Sequence, residues 1–167
     1  DRKLYLGPIH GEYTEIDVRF LHDDDKNPVS HLRKEELGCV AFKAKQEMTK
    51  SHIRSGMIIT NQPIPFTNEF LGEVEIFSHH HTTLSVGSNV IIHCGALKRP
   101  VIIQEITNLM SENQNLVRGG DCNMKIRFSF LRDQDHYVQV GDRFIFREGK
   151  CRGSGIVREI YPRLNQD

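Results

Sequence analysis

The sequence predicts an all-β protein, organised as a smaller β unit followed by a larger, complete one. Three observations carry this. The dominant hydrophobic period is two, as a sheet covered on one face requires. Turn-forming clusters ("DDDKNP", "GALKRP", "RGGD", "REGKCRGSG") cut the chain into short segments, the pattern of barrels and sandwiches. Finally, "TNQPIPFTN" at 60–68 interrupts the pattern with two prolines and two asparagines, and proline has no ladder donor to give. The expected units are therefore 1–62 and 63–167.

In chain order, the first strand is expected at 3–6. "YTEIDVRF" then alternates Ile16, Val18 and Phe20 with Glu15, Asp17 and Arg19, a half-buried strand. Strands follow at 38–45 and 56–60, separated by Glu47–Ser55, the only stretch with room for a helical turn. In the second unit "GEVEIFS" sets Val74 and Ile76 against Glu73 and Glu75. "CNMKIRFSF" is the clearest case, with Met124, Ile126, Phe128 and Phe130 on one face and Lys125, Arg127 and Ser129 on the other. Further strands are expected at 89–94, 100–106, 143–147 and 155–161.

The totals exclude several classes. With 167 residues, 38% apolar and 26% charged, the chain has ordinary globular composition. It has no apolar run of about 18 residues to span a membrane, and its first ten residues lack the apolar stretch of a signal peptide. The chain begins without Met inside what reads as a strand, so it is expected to be an excised part of a longer, cytoplasmic protein. The formal charge is zero, which argues against nucleic-acid binding by net charge alone. The charge is nevertheless uneven. Residues 12–37 hold eight acids, and residues 143–163 hold six bases: Arg143, Arg147, Lys150, Arg152, Arg158 and Arg163. The second cluster suggests an anion-binding patch. Cys39, Cys94, Cys122 and Cys151 form no CxxC and read as reduced thiols, with Cys39, Cys94 and Cys122 expected inside strands. No GxxxxGK[ST], HExxH or GxSxG occurs, so no catalytic residues are expected in this chain.

Four of the nine histidines lie in "IFSHHHTTLSVGSNVIIHC". In a strand, His79 and His81 share one face, and His93 or Cys94 could add a third ligand. Structural zinc, however, takes four closed ligands around a tight CxxC or HxxxH anchor. The triplet supplies none, so no metal site is expected. Cys94 is expected as a buried thiol rather than a nucleophile.

The order of the segments carries a resemblance. "LYLGP", "LRKEELGCVAFKAK" and "SHIRSGMIIT" resemble the later part of domain II of elongation factor Tu-type translational GTPases. "FLGEVEIFSHHHTT", "VIIHCG", "VRGGDCNMKIRFSF" and "VGDRFIFREGKCRGSGIVREI" resemble domain III, in the same order. The "HH-x-TT" turn, the "HCG" strand end and the "FREG" loop are most similar to the GTP-binding protein 1/2 family. The resemblance covers nearly the whole chain. It implies two consecutive β-barrels, the first incomplete at its N-terminus.

It also implies a parent GTPase whose separate G domain binds GTP and Mg and packs on the barrels, so this chain is expected to hold no cofactor and no GTPase activity. The implied partners are aminoacyl-tRNA or a ribosome-associated RNA, with no membrane. Two loops are the implied RNA-binding elements: His80, His81, Thr82 and Thr83 in one, and Arg147, Glu148, Gly149 and Lys150 with Arg152 in the other. The chemistry is sound for RNA, since Arg and Lys neutralise phosphates, glycine admits the backbone, and a carboxylate accepts from a 2′-hydroxyl. The competing readings are a protein-interaction β module without an RNA role, and a His-rich metal-binding β domain.

Overall fold

The computed structural model describes residues 3–9, 11–77, 83–107, 116–117, 124–131 and 136–162, with backbone alone at 116–117. The chain is all-β apart from one 3₁₀ turn among these residues. It divides into two compact units, residues 1–54 with 58–64, and residues 55–57 with 65–167.

The first unit holds β1 (Leu4–Ile9), β2 (Glu12–Asp23), β3 (Pro28–Val29), β4 (Gly38–Ala44) and β5 (Ile58–Thr60). They form an open five-stranded sheet, a half-barrel of order β3-β2-β1-β5 with β4 also on β2. Its tightly buried residues are Leu6, Thr14 and Ile16. The alternation expected through Phe20 fails halfway along β2. The ladder to β4 shifts register between Val18 and Phe20, and such a bulge turns the following side chains away from their expected face. Phe20, beyond the bulge, is accordingly 59% exposed, and Val18, just before it, is already 36% exposed. The helical turn expected over Glu47–Ser55 shrinks to Lys50–His52, because so short a segment cannot repay helix nucleation. Acidic residues here have local work. Asp23 Oδ1 accepts from the Asn27 N–H at 2.8 Å, closing the turn where Lys26 adopts φ +66°, and the Glu15 carboxylate pairs with Lys45 and Lys3.

The second unit contains β6 (Thr67–Ile76), β7 (Leu84–Ser85), β8 (Asn89–Cys94), β9 (Leu97–Thr107), β10 (Leu116–Val117), β11 (Met124–Phe130), β12 (Arg143–Glu148) and β13 (Cys151–Pro162). Six of these close a barrel in the order β11-β6-β13-β12-β8-β9, with β9 returning to β11, while β7 and β10 pair as a separate ribbon. The period-two pattern of β11 is realised in full, every second residue from Met124 to Phe130 being buried. Inside, aromatic rings fill the barrel. Phe70 stacks on Phe128 at 5.2 Å, and Phe144 meets both edge-on at 5.4 and 5.6 Å. Glycines leave room for them, since a Cβ on Gly72 or Gly155 would lie 2.6 Å from the Phe144 ring.

The structure moves several expected features. β6 starts at Thr67, inside the segment read as a breaker. The Thr67 hydroxyl lies between the carbonyl oxygens of Glu69 and Tyr161, to either of which its one proton can be donated, and accepts from the Glu69 N–H at 3.0 Å, anchoring the strand just past Pro65. β13 starts at Cys151 rather than 155, because a two-residue turn lets pairing begin at once. Cys39 is exposed, whereas Cys151, which no alternation singled out, is fully buried. Cys122 lies outside the described residues.

Candidate nucleic-acid interface

The hairpin of β12 and β13 is set by its turn. Glu148 pairs with Cys151, leaving Gly149 and Lys150 as the loop. Gly149 takes φ +55° while Lys150 does not enter the left-handed region, which is the glycine-first two-residue turn that suits twisted strands. Phe144 and Phe146 on one strand and Cys151 on the other fix the inward parity, and their alternates Arg143, Ile145, Arg147 and Arg152 are sent outward.

This register places Arg147 directly opposite Arg152. The pair next to a closing hydrogen-bonded pair is a close, non-hydrogen-bonded one. In keeping with this, the Arg152 carbonyl is used elsewhere, accepting from the Phe77 N–H at 3.0 Å. Like charges so placed repel, and no described carboxylate relieves them. Among the described residues Arg143, Arg147, Lys150 and Arg152 form no ion pair, whereas Arg127 is held by Glu69 at 2.6 Å and Arg158 by Glu73 at 2.9 Å. Arg127 also lies 4.5 Å over the Tyr161 ring. Of the six bases at 143–163, Arg147, Lys150 and Arg152 thus gather at the hairpin end without a described counter-ion, Arg143 stands apart toward the foot of β12, Arg158 is neutralised, and Arg163 lies outside the described residues.

The structure separates Glu148 from the arginines. It has inward parity, half-buried at the barrel end opposite Cys151, so it does not share the outer face of Arg147 and Arg152. Gly149 and Lys150 are exposed in the turn. Thr83 is exposed immediately before β7, and no described hydrogen bond joins it to the hairpin. His80, His81 and Thr82, with His79, lie outside the described residues.

Two adjoining hollows mark the outer face of β6, β13, β12 and β8. One, of about 380 Å³, is lined by Phe77, His93, Ile145, Arg147 and Arg152 with the chain at Phe146 and Gly153. The other, of about 560 Å³, shares His93 and Ile145 and extends past Ser154 and Arg143 to Glu73 and Glu75. Sequence reasoning did not assign Phe77, His93 and Ile145 to this surface. The signal was present for Phe77, which continues the outward series Glu73, Glu75 and replaces an acid with an aromatic ring.

His93 and Cys94 are neighbours on one strand and point to opposite faces. His93 lines the outer hollows, and Cys94 is buried in the barrel. They cannot close jointly on one ion. Burial, reinforced by Asp142 whose Oδ2 lies 3.9 Å from Sγ, pushes the Cys94 thiol up to about 11, the reverse of what a nucleophile needs. Among the described residues no group of three or more His, Cys, Asp or Glu side chains is placed to hold a metal ion. No described helix is long and apolar enough to cross a membrane.

Comparison with known proteins bears out the resemblance seen in the motifs. No protein-family model matches the chain. Over 164 residues, 97% of its length, it is 27% identical to GTP-binding protein 1 of Xenopus laevis, spanning 23% of that protein. Over 140 residues, 79% of its length, it is 26% identical to GTP-binding protein 2 of Mus musculus and of Homo sapiens, spanning 22% of each. The chain therefore spans less than a quarter of the length of these relatives. Its fold is that of part of translation elongation factor SelB from Methanococcus maripaludis in its apo form, with a TM-score of 0.71 over 96% of this chain and 35% of that one, at 18% identity.

Proposed function

We propose that this chain is the RNA-positioning β region of a translation-factor-like GTP-binding protein. Its β12–β13 hairpin grips the phosphate backbone of aminoacyl-tRNA or of a ribosome-associated RNA. The observation that carries this reading is the Arg147–Arg152 pair, with Lys150 at the adjoining turn: three outward cations without a described counter-ion, two of them forced together by register. A folded chain tolerates such a pair most readily where an anion lies over it. Phosphates satisfy guanidinium groups through paired, charge-assisted hydrogen bonds, and the exposed Gly149 lets a sugar edge approach the backbone. Similarity to proteins named for GTP binding, with a fold shared by an elongation factor, supports the same assignment.

In this reading a G domain elsewhere in the longer protein binds GTP and Mg and hydrolyses the nucleotide. The barrels convey its state to the RNA by changing how the domains pack. The half-barrel supplies the protein-facing side. Phe20 and Leu37 are largely exposed there, and Asp17, Asp24 and Asp25 form no described ion pair.

The test is titration of the full chain with aminoacyl-tRNA at several salt concentrations. Removing one cation that neutralises a phosphate lowers the slope of log affinity against log salt by about 0.7–0.9. The double variant Arg147→Gln/Arg152→Gln should thus bind more weakly and reduce that slope by about 1.5. Equal affinity and slope for both proteins would remove the hairpin from the interface.

A further inference from the structure

The smaller hollow beside the arginines has features that a phosphate grip alone does not require. Its walls include Phe77, 42% exposed, and Ile145, 55% exposed. These are large apolar groups held in water directly beside Arg147 and Arg152. The Phe77 N–H is fixed to the Arg152 carbonyl, so the ring's attachment point is tied to the strand that carries the cation. Ile145 stands between His93 on β8 and Ser154 on β13, its direct partners in the sheet. An aromatic face, an aliphatic floor and an imidazole therefore meet within one cavity of about 380 Å³. That lies at the small end of the roughly 300–1,000 Å³ of ligand pockets.

The charge distribution limits what can fill it. The cations stand on the hairpin side, at Arg147, Arg152 and Lys150. Beyond His93 and Ile145 the larger hollow mixes Arg143 with Glu73 and Glu75, so no continuous phosphate track runs across the face. A strand entering over the arginines has a place for its flanking phosphates and for one planar apolar group, and no onward path.

We infer that the Phe77–Ile145–His93 hollow seats one unpaired nucleobase of the bound RNA, with its flanking phosphates on Arg147 and Arg152. This rests on the RNA reading above and narrows it from a phosphate grip of any RNA to a site that prefers a strand end or an everted base. Stacking on an aromatic side chain is tolerant of base identity, so the seat distinguishes unpaired from paired RNA rather than reading sequence.

The experiment measures affinity of the full chain for a fluorescent RNA hairpin with a blunt end and for the same hairpin with a short single-stranded 3′ overhang. The overhang should tighten binding. Phe77→Leu should cost the overhang RNA about 5- to 150-fold while leaving the blunt hairpin unchanged, and Phe77→Tyr should retain the preference. Arg147→Gln should weaken both RNAs. Equal affinity for the two RNAs, or an equal loss for both in Phe77→Leu, overturns the base seat and leaves the phosphate grip standing. Binding of neither RNA overturns the RNA reading itself. Tighter binding of an acidic or phosphorylated peptide than of either RNA, lost in Phe77→Leu, reassigns the hollow to a protein ligand and overturns both.

Discussion

Neutralising Arg152 should move stability and RNA affinity in opposite directions. In the free chain Arg152→Gln removes one of two cations placed directly across the β12–β13 ladder. At about 5 Å, the usual separation of directly opposed Cβ atoms, two unit charges in water repel by about 0.8 kcal/mol. Splaying of the long side chains and salt screening reduce this, in line with cross-strand pair effects of roughly 0.2–1 kcal/mol. The variant should therefore be more stable by about 0.5 kcal/mol, raising Tm by a few degrees for a domain of this size. The increment should shrink in high salt as the Debye length shortens. Thermal melts at low and high salt measure it, and titration with RNA measures the accompanying fall in affinity. An ordinary surface arginine gives neither change, and a structural one gives destabilisation. A lower Tm for Arg152→Gln at low salt would refute the claim that the hairpin carries uncompensated repulsion.

The barrel interior makes further expectations testable. Gly153→Ala should destabilise by about 1–3 kcal/mol, the range for overpacking, because its Cβ would stand 2.6 Å from the Glu75 carbonyl oxygen and run into the Phe146 ring; chemical denaturation reads this directly. Phe128→Ala should cost about 3–5 kcal/mol, since Phe128 is fully buried among Phe70, Phe144 and Phe146, whereas Ile145→Ala on the outer face should change stability little. Under native conditions a thiol reagent should label Cys39 and spare Cys94 and Cys151, as peptide mapping would show. The Cys94 thiol titrates near 11 when folded against 9.0 for its unperturbed value. The folded chain then holds a proton that the unfolded chain releases, so this contribution to stability is present below about pH 9 and declines as pH rises toward about 11. Cys94→Ala should flatten that decline.

How much of this was legible depended on whether the signal was local. The faces of β11 and of β6 beyond Gly72 follow from alternation, because a strand with one covered face must sort its side chains every second residue. The basic hairpin was readable only in part: the cluster of bases was visible, but three glycines in "REGKCRGSG" left the turn unplaced, and only the pairing of Glu148 with Cys151 fixes it and the parity of Arg147 and Arg152. The barrel order was not readable, since β6 lies between β11 and β13, pairings set by distant segments that no local period encodes. Nor was the exposure of Phe20, which follows a bulge against β4. Cys39 and Cys94 both sit in strand patterns, and only the three-dimensional cover over each decides which is buried. The outer hollow escaped because its walls come from strands that meet only after the barrel closes. Glu148 was grouped with Arg147 through the resemblance of the "FREG" loop, yet adjacent strand residues face opposite ways.

The central claim is that RNA lies on the outer face of β12 and β13. Ultraviolet crosslinking of the full chain to aminoacyl-tRNA, followed by mass spectrometry of the crosslinked peptides, tests it most directly. Crosslinks are expected at Phe77 and within Arg143–Arg152, reduced when Arg147 and Arg152 are both replaced by glutamine. Crosslinks confined to the half-barrel strands β1–β5, unchanged in that double variant, would contradict it.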